Sequence, residues 1–166
     1  MPKSTKHAME WSVGLTILAL IGIIIGLILT KPLIIMVFLL PTVIYEVYRT
    51  EGKSTKWASW ALLCVFVLEI VLIIFKINYN LADLLGRDQQ YIGEYLVPLG
   101  DIKIIAPIII AVLSILLLTK TWGKYTKYLA AVIIVGSFSV IYTLDPVVFR
   151  EMIKIAIEKF LEEIPS

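Results

Sequence analysis

Residues 11–30 read WSVGLTILALIGIIIGLILT, twenty consecutive positions without a charged side chain. At a rise of 1.5 Å per residue, about twenty apolar residues in a helix cross the hydrocarbon core of a bilayer. The same pattern recurs along the chain. Pro32 to Tyr45 is apolar and ends at Glu46, Tyr48 and Arg49; Trp57 to Phe75 is interrupted only by Glu69; Ile104 to Thr119 and Tyr128 to Leu144 carry no charge. The fourth run is short, and Lys103 and Lys120 can snorkel from its ends. Runs such as Ile21-Gly22-Ile23-Ile24-Ile25 and Ile108-Ile109-Ile110 do not alternate polar with apolar residues as the strands of a membrane barrel must.

The expected fold is therefore an all-α integral membrane protein, a bundle of about five transmembrane helices. The spans fall near 11–30, 32–49, 57–75, 103–119 and 126–144, in a domain covering 1–144. Segments 11–30 and 32–49 are joined only by Lys31, so they either both span or form a re-entrant pair. Lys3 and Lys6 precede the first run, but that run is too long for a cleaved signal peptide and no small-x-small site follows it. It reads as a retained signal anchor.

Composition agrees. Of 166 residues 60% are hydrophobic and 17% charged, with a mean hydropathy of +0.94, whereas soluble domains average about 45–50% and about 25%. A soluble cytosolic globular protein is excluded. Fifteen basic and thirteen acidic residues leave a net charge of +2, too balanced for a nucleic-acid binder. Cys64 is the lone cysteine and His7 the lone histidine. An intrachain disulfide, a thiolate metal cage, a bis-His haem and a Ser–His dyad inside the membrane are all excluded, and no metal or cofactor is expected.

Lysine and arginine orient the bundle. The N-terminal tail and the second and fourth loops share a side and carry eight of them: Lys3, Lys6, Arg49, Lys53, Lys56, Lys120, Lys124 and Lys127. The first and third loops carry four: Lys31, Lys76, Arg87 and Lys103. The positive-inside rule puts the N-terminus in the cytoplasm and the C-terminus outside, in the plasma membrane; Arg150, Lys154 and Lys159 of the C-terminal tail then also lie outside, so the margin is eight against seven. Trp11, Trp57, Trp60 and Trp122 fall at the same interface, where indoles prefer to sit.

Two stretches are expected to lie flat. In the loop over 77–101, Leu81, Leu84 and Leu85, then Ile92, Tyr95 and Leu96, have a one-sided helical spacing, with Asn80 and Gly86 as caps. Over 145–166, Asp145 is an N-cap candidate followed by Pro146. Phe149, Met152, Ile153, Ala156, Phe160 and Ile164 then form the apolar face of an amphipathic helix, suited to docking on a membrane interface or a partner.

Inside the bilayer, Glu69 is the most informative residue. A carboxylate there costs roughly 2.5–3.5 kcal/mol on insertion scales, so it is expected to face the bundle, protonated or paired. Lys76, two turns outward, is the nearest cation in sequence, and Ser137 and Ser139 stand at a similar depth. The group reads either as a proton or cation site or as a polar contact holding helices together. Gly22 and Gly26, extended by Gly14, form one small-residue packing face, and Pro107, Ala111 and Ser114 another. Pro41 sits mid-span in the second helix and is expected to kink it. Glu46 lies one turn from Arg49 and reads as a surface pair at the interface. No catalytic constellation emerges. The expected role is a non-catalytic accessory or structural subunit of a larger membrane assembly, partnered by the lipid bilayer and by other membrane subunits or copies of itself. The alternative is a small proton or cation transporter or channel using Glu69.

Overall fold

Apolar runs of this length are too long for strands and close their backbone hydrogen bonds internally as helices. Five such helices form: α1 (Ala8–Ile28), α2 (Pro32–Arg49), α3 (Lys53–Ile74), α4 (Ile102–Lys120) and α5 (Lys124–Leu144). Each is long and apolar enough to span a membrane. A sixth helix, α6 (Pro146–Glu162), follows one residue after α5. The computed structural model describes residues 7–77, 90–92, 95–97, 102–121 and 123–162. Helices run through Pro41 in α2 and Pro107 in α4, although each proline removes one donor from the ladder.

The corner between α1 and α2 is a tight hairpin. Leu29 N–H donates to Ile25 O, Thr30 N–H to Leu27 O and Lys31 N–H to Gly26 O at 2.9 Å. This is a Schellman ending with Thr30 at the left-handed position, φ 52°. Pro32 then starts α2, where a missing N–H costs nothing. The far end of α3 closes the same way: Lys76 N–H reaches Ile73 O, Ile77 N–H reaches Leu72 O, and Lys76 has φ 51°. At the opposite end of the bundle, Gly52 opens α3 at φ 123°, a conformation closed to side-chain-bearing residues.

α2 and α5 pack on each other through the middle of the bundle. α1 lies against both, α3 against α2 and α4, and α4 against α3 and α5. Leu39, Leu62, Phe66, Ile110 and Ile133 fill the space between them and are almost fully buried. Small residues set the closest approaches. Gly22 backs directly onto Phe38, Gly26 onto Ile35, and a Cβ at Gly136 would lie 2.5 Å from Leu39 Cδ2. Gly14 faces open space, so the packing row starts at Gly22. Pro107, Ala111 and Ser114 are buried together on α4.

α6 begins on a side-chain cap. Asp145 Oδ1 accepts from Val147 N–H at 2.9 Å and from Val148 N–H at 3.1 Å, satisfying two of the donors a helix start leaves open. Its first turns fold back on α5, where Phe149 meets Tyr142 and Phe138 edge-on, at centroid distances of 5.4 and 6.5 Å.

The loop over 77–101 departs from the helical expectation in its second half. Gln90–Ile92 and Tyr95–Val97 are short strands paired antiparallel, with Tyr91 opposite Leu96 and Ile92 opposite Tyr95. Both are rich in aromatic and β-branched residues, and Gly93-Glu94 between them has the two-residue, glycine-first spacing of a hairpin. Ile92 and Leu96 fit either period, and over so short a run the turn decides. Leu81, Leu84 and Leu85, with Asn80 and Gly86, lie outside the described residues.

Candidate functional site

The interior of the bundle is chemically lopsided. Measured from the end that holds the start of α1, helical rise puts Ser12, Thr16, Thr42, Ser59 and Ser114 within about 12 Å of that end, and all are buried. Glu46, Arg49 and Thr126 lie lower still, within about 5 Å. Beyond them the core is apolar until Glu69 and Ser137.

Glu46 and Arg49 are the centre of this polar end. On α2 the positions Ile35, Leu39, Thr42, Glu46 and Arg49 step by four and three residues, one continuous inward stripe. The stripe carries its last two members inside although they are charged: Glu46 is 0% exposed and Arg49 4%. The surface pair expected from sequence is thus corrected. The two side chains are not within ion-pair distance of each other. Thr50 Oγ1 donates to Glu46 O at 2.8 Å and to Glu46 Oε1 at 3.3 Å. Glu46 Oε2 and the Nε and Nη1 groups of Arg49 are buried without a hydrogen-bond partner among the described residues, as are Tyr45 OH and Thr126 Oγ1. The guanidinium lies between two rings, 5.8 Å from the centroid of Tyr45 and 5.6 Å from that of Tyr125. Tyr45 in turn meets Trp11 at 6.4 Å. Arg49 is therefore aimed at the first turn of α5, where Tyr125 and Thr126 reside.

Backbone electrostatics reinforce the guanidinium. α1, α3 and α5 all start at this end, and their positive dipole ends converge there. The starts of α3 and α5 have no side-chain cap and no acidic residue in the first turn. Lys53, Lys56, Lys120, Lys124 and Lys127 stand exposed around the rim. The carbonyl ends of α2 and α4 and the exposed Glu10 and Glu51 stand at the same end, so the favourable charge for an anion comes from Arg49, the three helix starts and the five lysines.

The residues anticipated around Glu69 sit in different settings. Glu69 is 0% exposed, on the α3 stripe Ser59, Leu62, Phe66, Glu69 and Leu72. Lys76 is exposed and sits past the end of α3. The left-handed turn takes it off the helical face that two-turn spacing assumes. Ser137 is buried and donates to Ile133 O at 2.9 Å, while Ser139 is only half-buried and donates to Val135 O. Positions two apart on a helix point about 200° from each other, so no single site takes both. The cation at Glu69's height is Lys103 on neighbouring α4: each is about 25 Å from the basic end by helical rise.

On α6, Met152 is half-buried while Ile153 and Ala156 are exposed. Phe160 is in the last turn, and Ile164 lies outside the described residues. Among the described residues no three His, Cys, Asp or Glu side chains converge as a metal site. No protein-family model, no curated protein and no solved structure matches the chain.

Proposed function

We propose that the chain is a multi-pass integral membrane protein without catalytic activity, and that it works by binding a polar ligand in the charged end of its bundle. The observation that carries this reading is the burial of Glu46 and Arg49 with open hydrogen-bonding valences. Removing an arginine from water without an acceptor costs several kcal/mol, and ionisable groups held inside a membrane bundle mark functional sites by default.

Membrane insertion is supported by the outward faces. Ile17, Ile24, Val67, Leu68, Val112 and Val135 are exposed on different helices, far more apolar surface than a soluble monomer shows. The reading puts the N-terminus in the cytoplasm of a plasma membrane, supported by the eight basic residues on that side. The test is thermal unfolding of the purified protein against a panel of charged solutes and lipids. At least one class raises the midpoint of the natural protein and not of Arg49→Gln. A panel that shifts neither variant overturns the reading.

A second reading, an accessory subunit of a membrane assembly, is favoured by α6, where Val147, Ile153 and Ile157 are 41–68% exposed on an otherwise amphipathic helix. Ile153→Asp then reduces recovery of a stoichiometric membrane partner while leaving the spans inserted. Unchanged recovery removes that reading.

A further inference from the structure

We propose that the ligand of the Arg49 end is a phosphate ester carrying a protonated amine, the chemistry of a phosphoethanolamine group. The inference rests on the binding role proposed above and names its substrate class.

The phosphate half follows from the donors. Arg49 presents Nε and Nη1, buried and without an acceptor. The two lie on different edges of the guanidinium plane, so each offers its own charge-assisted N–H to a phosphate oxygen. Tyr45 OH and Thr126 Oγ1 are further hydroxyls without partners. The uncapped starts of α3 and α5 add backbone N–H groups directed to the same end. Five exposed lysines raise the local concentration of anions.

The amine half follows from Glu46. A simple anion on Arg49 would leave the buried carboxyl of Glu46, one turn away, with its Oε2 still unpartnered. An acidic and a basic side chain three residues apart on one helix face ordinarily pair. Here they remain apart, and both keep an open valence. A ligand with a phosphate and an ammonium a few ångströms apart satisfies both: phosphate on Arg49, N–H groups on Glu46 Oε2. A quaternary ammonium lacks the N–H and leaves Glu46 unsatisfied.

Depth points to where such a ligand comes from. Trp11, Tyr48, Trp57, Trp60 and Tyr128 are 51–80% exposed around the same end of the bundle, the pattern of an aromatic belt at headgroup level. By helical rise Glu46 and Arg49 share that level. A lipid headgroup therefore lies at the height of the site, and a soluble phosphoamine reaches it from the basic rim.

The experiment measures thermal unfolding of the full chain in detergent with O-phosphoethanolamine, inorganic phosphate or glycine. It is repeated in nanodiscs of phosphatidylcholine with and without phosphatidylethanolamine. A phosphoethanolamine carrier is expected to raise the midpoint by about 5 °C at saturation, inorganic phosphate less, and glycine not at all. A response to the lipid alone identifies the headgroup as the source; a response to the soluble compound as well identifies a free phosphoamine. Arg49→Lys, which keeps the charge and loses the planar spread of N–H donors, weakens apparent affinity about tenfold. Glu46→Gln keeps the phosphate response and loses the preference for the amine. Lys76→Gln, at the far end, responds as the natural protein. The proposal is overturned if no phosphate-bearing probe shifts the midpoint, if Arg49→Lys responds unchanged, or if phosphatidylcholine serves as well as phosphatidylethanolamine. A shift produced by glycine and lost in Arg49→Gln would leave the binding role standing and remove the phosphate. The absence of any shift removes both.

Discussion

Two residues hold a backbone conformation that their side chains oppose. Thr30 at φ 52° and Lys76 at φ 51° each occupy the left-handed position of a Schellman ending, where glycine is the common choice. The left-handed conformation costs an L-residue roughly 1–2 kcal/mol, and most for a β-branched one. Glycine gives back about 0.5–1 kcal/mol in unfolded-chain entropy. Thr30→Gly is therefore expected to stabilise the protein by about 0.5–1 kcal/mol, and Lys76→Gly by less, measured as equilibrium unfolding in a fixed detergent; destabilisation by Thr30→Gly would refute the strain argument. The same turn explains why the depth of Glu69 was legible in sequence and its neighbour was not. Counting along α3 assigns Lys76 to Glu69's face, but the helix ends at Ile74. Counting across helices needs the bundle's register, which brings Lys103 to the same height. A coupling between Glu69 and Lys103 follows: Glu69→Lys and Lys103→Glu each lower stability, and the exchanged pair recovers about 1 kcal/mol of the combined loss. Additive losses in the double variant would exclude it. Glu46 and Arg49 had a readable signal, the four-and-three spacing from Ile35, yet charge at a span's end reads as interface. Only the packing of α2 between α1, α3 and α5 turns that face inward.

At the scale of elements, the α1–α2 hairpin is held by what glycine omits. A bilayer supplies little hydrophobic drive between helices, so association depends on close van der Waals packing. The glycine at position 22 lets Phe38 lie directly on the α1 backbone, and Gly26 does the same for Ile35. Gly22→Leu must displace α2 and is expected to cost about 1–3 kcal/mol, whereas Gly14→Leu, facing open space, costs little. Equal effects of the two in the same unfolding assay would show that contact with α2 is not what Gly22 provides. The long elements were legible because apolar runs of fourteen to twenty residues, one of them broken by Glu69, are too long for strands and close their backbone hydrogen bonds as helices. So was the start of α6, where Asp145 and Pro146 carry the cap and the first turn. The ribbon at 90–97 was not, since six strand residues with apolar positions four apart satisfy both periods until the two-residue connection is weighed.

The whole molecule is organised along one axis. Its basic rim, its exposed tryptophans, three helix starts and its buried charged pair all gather at one end. The opposite end of the five-helix bundle offers two left-handed turns, and Glu69 is about one turn below it. In the orientation proposed above this end faces an anionic, cytoplasmic leaflet, to which lysines are attracted by about 1 kcal/mol each. It follows that single cysteines replacing Lys53 and Lys124, in a Cys64→Ala background, react with a membrane-impermeant reagent only after cells are opened. A cysteine replacing Lys76 reacts in intact cells. All three positions are exposed in the fold, so silence at any of them reports the membrane and not burial. Reaction at Lys124 from outside would reverse the orientation. It would also turn the Arg49 end toward the outer leaflet, and the source of any phosphate that binds there with it.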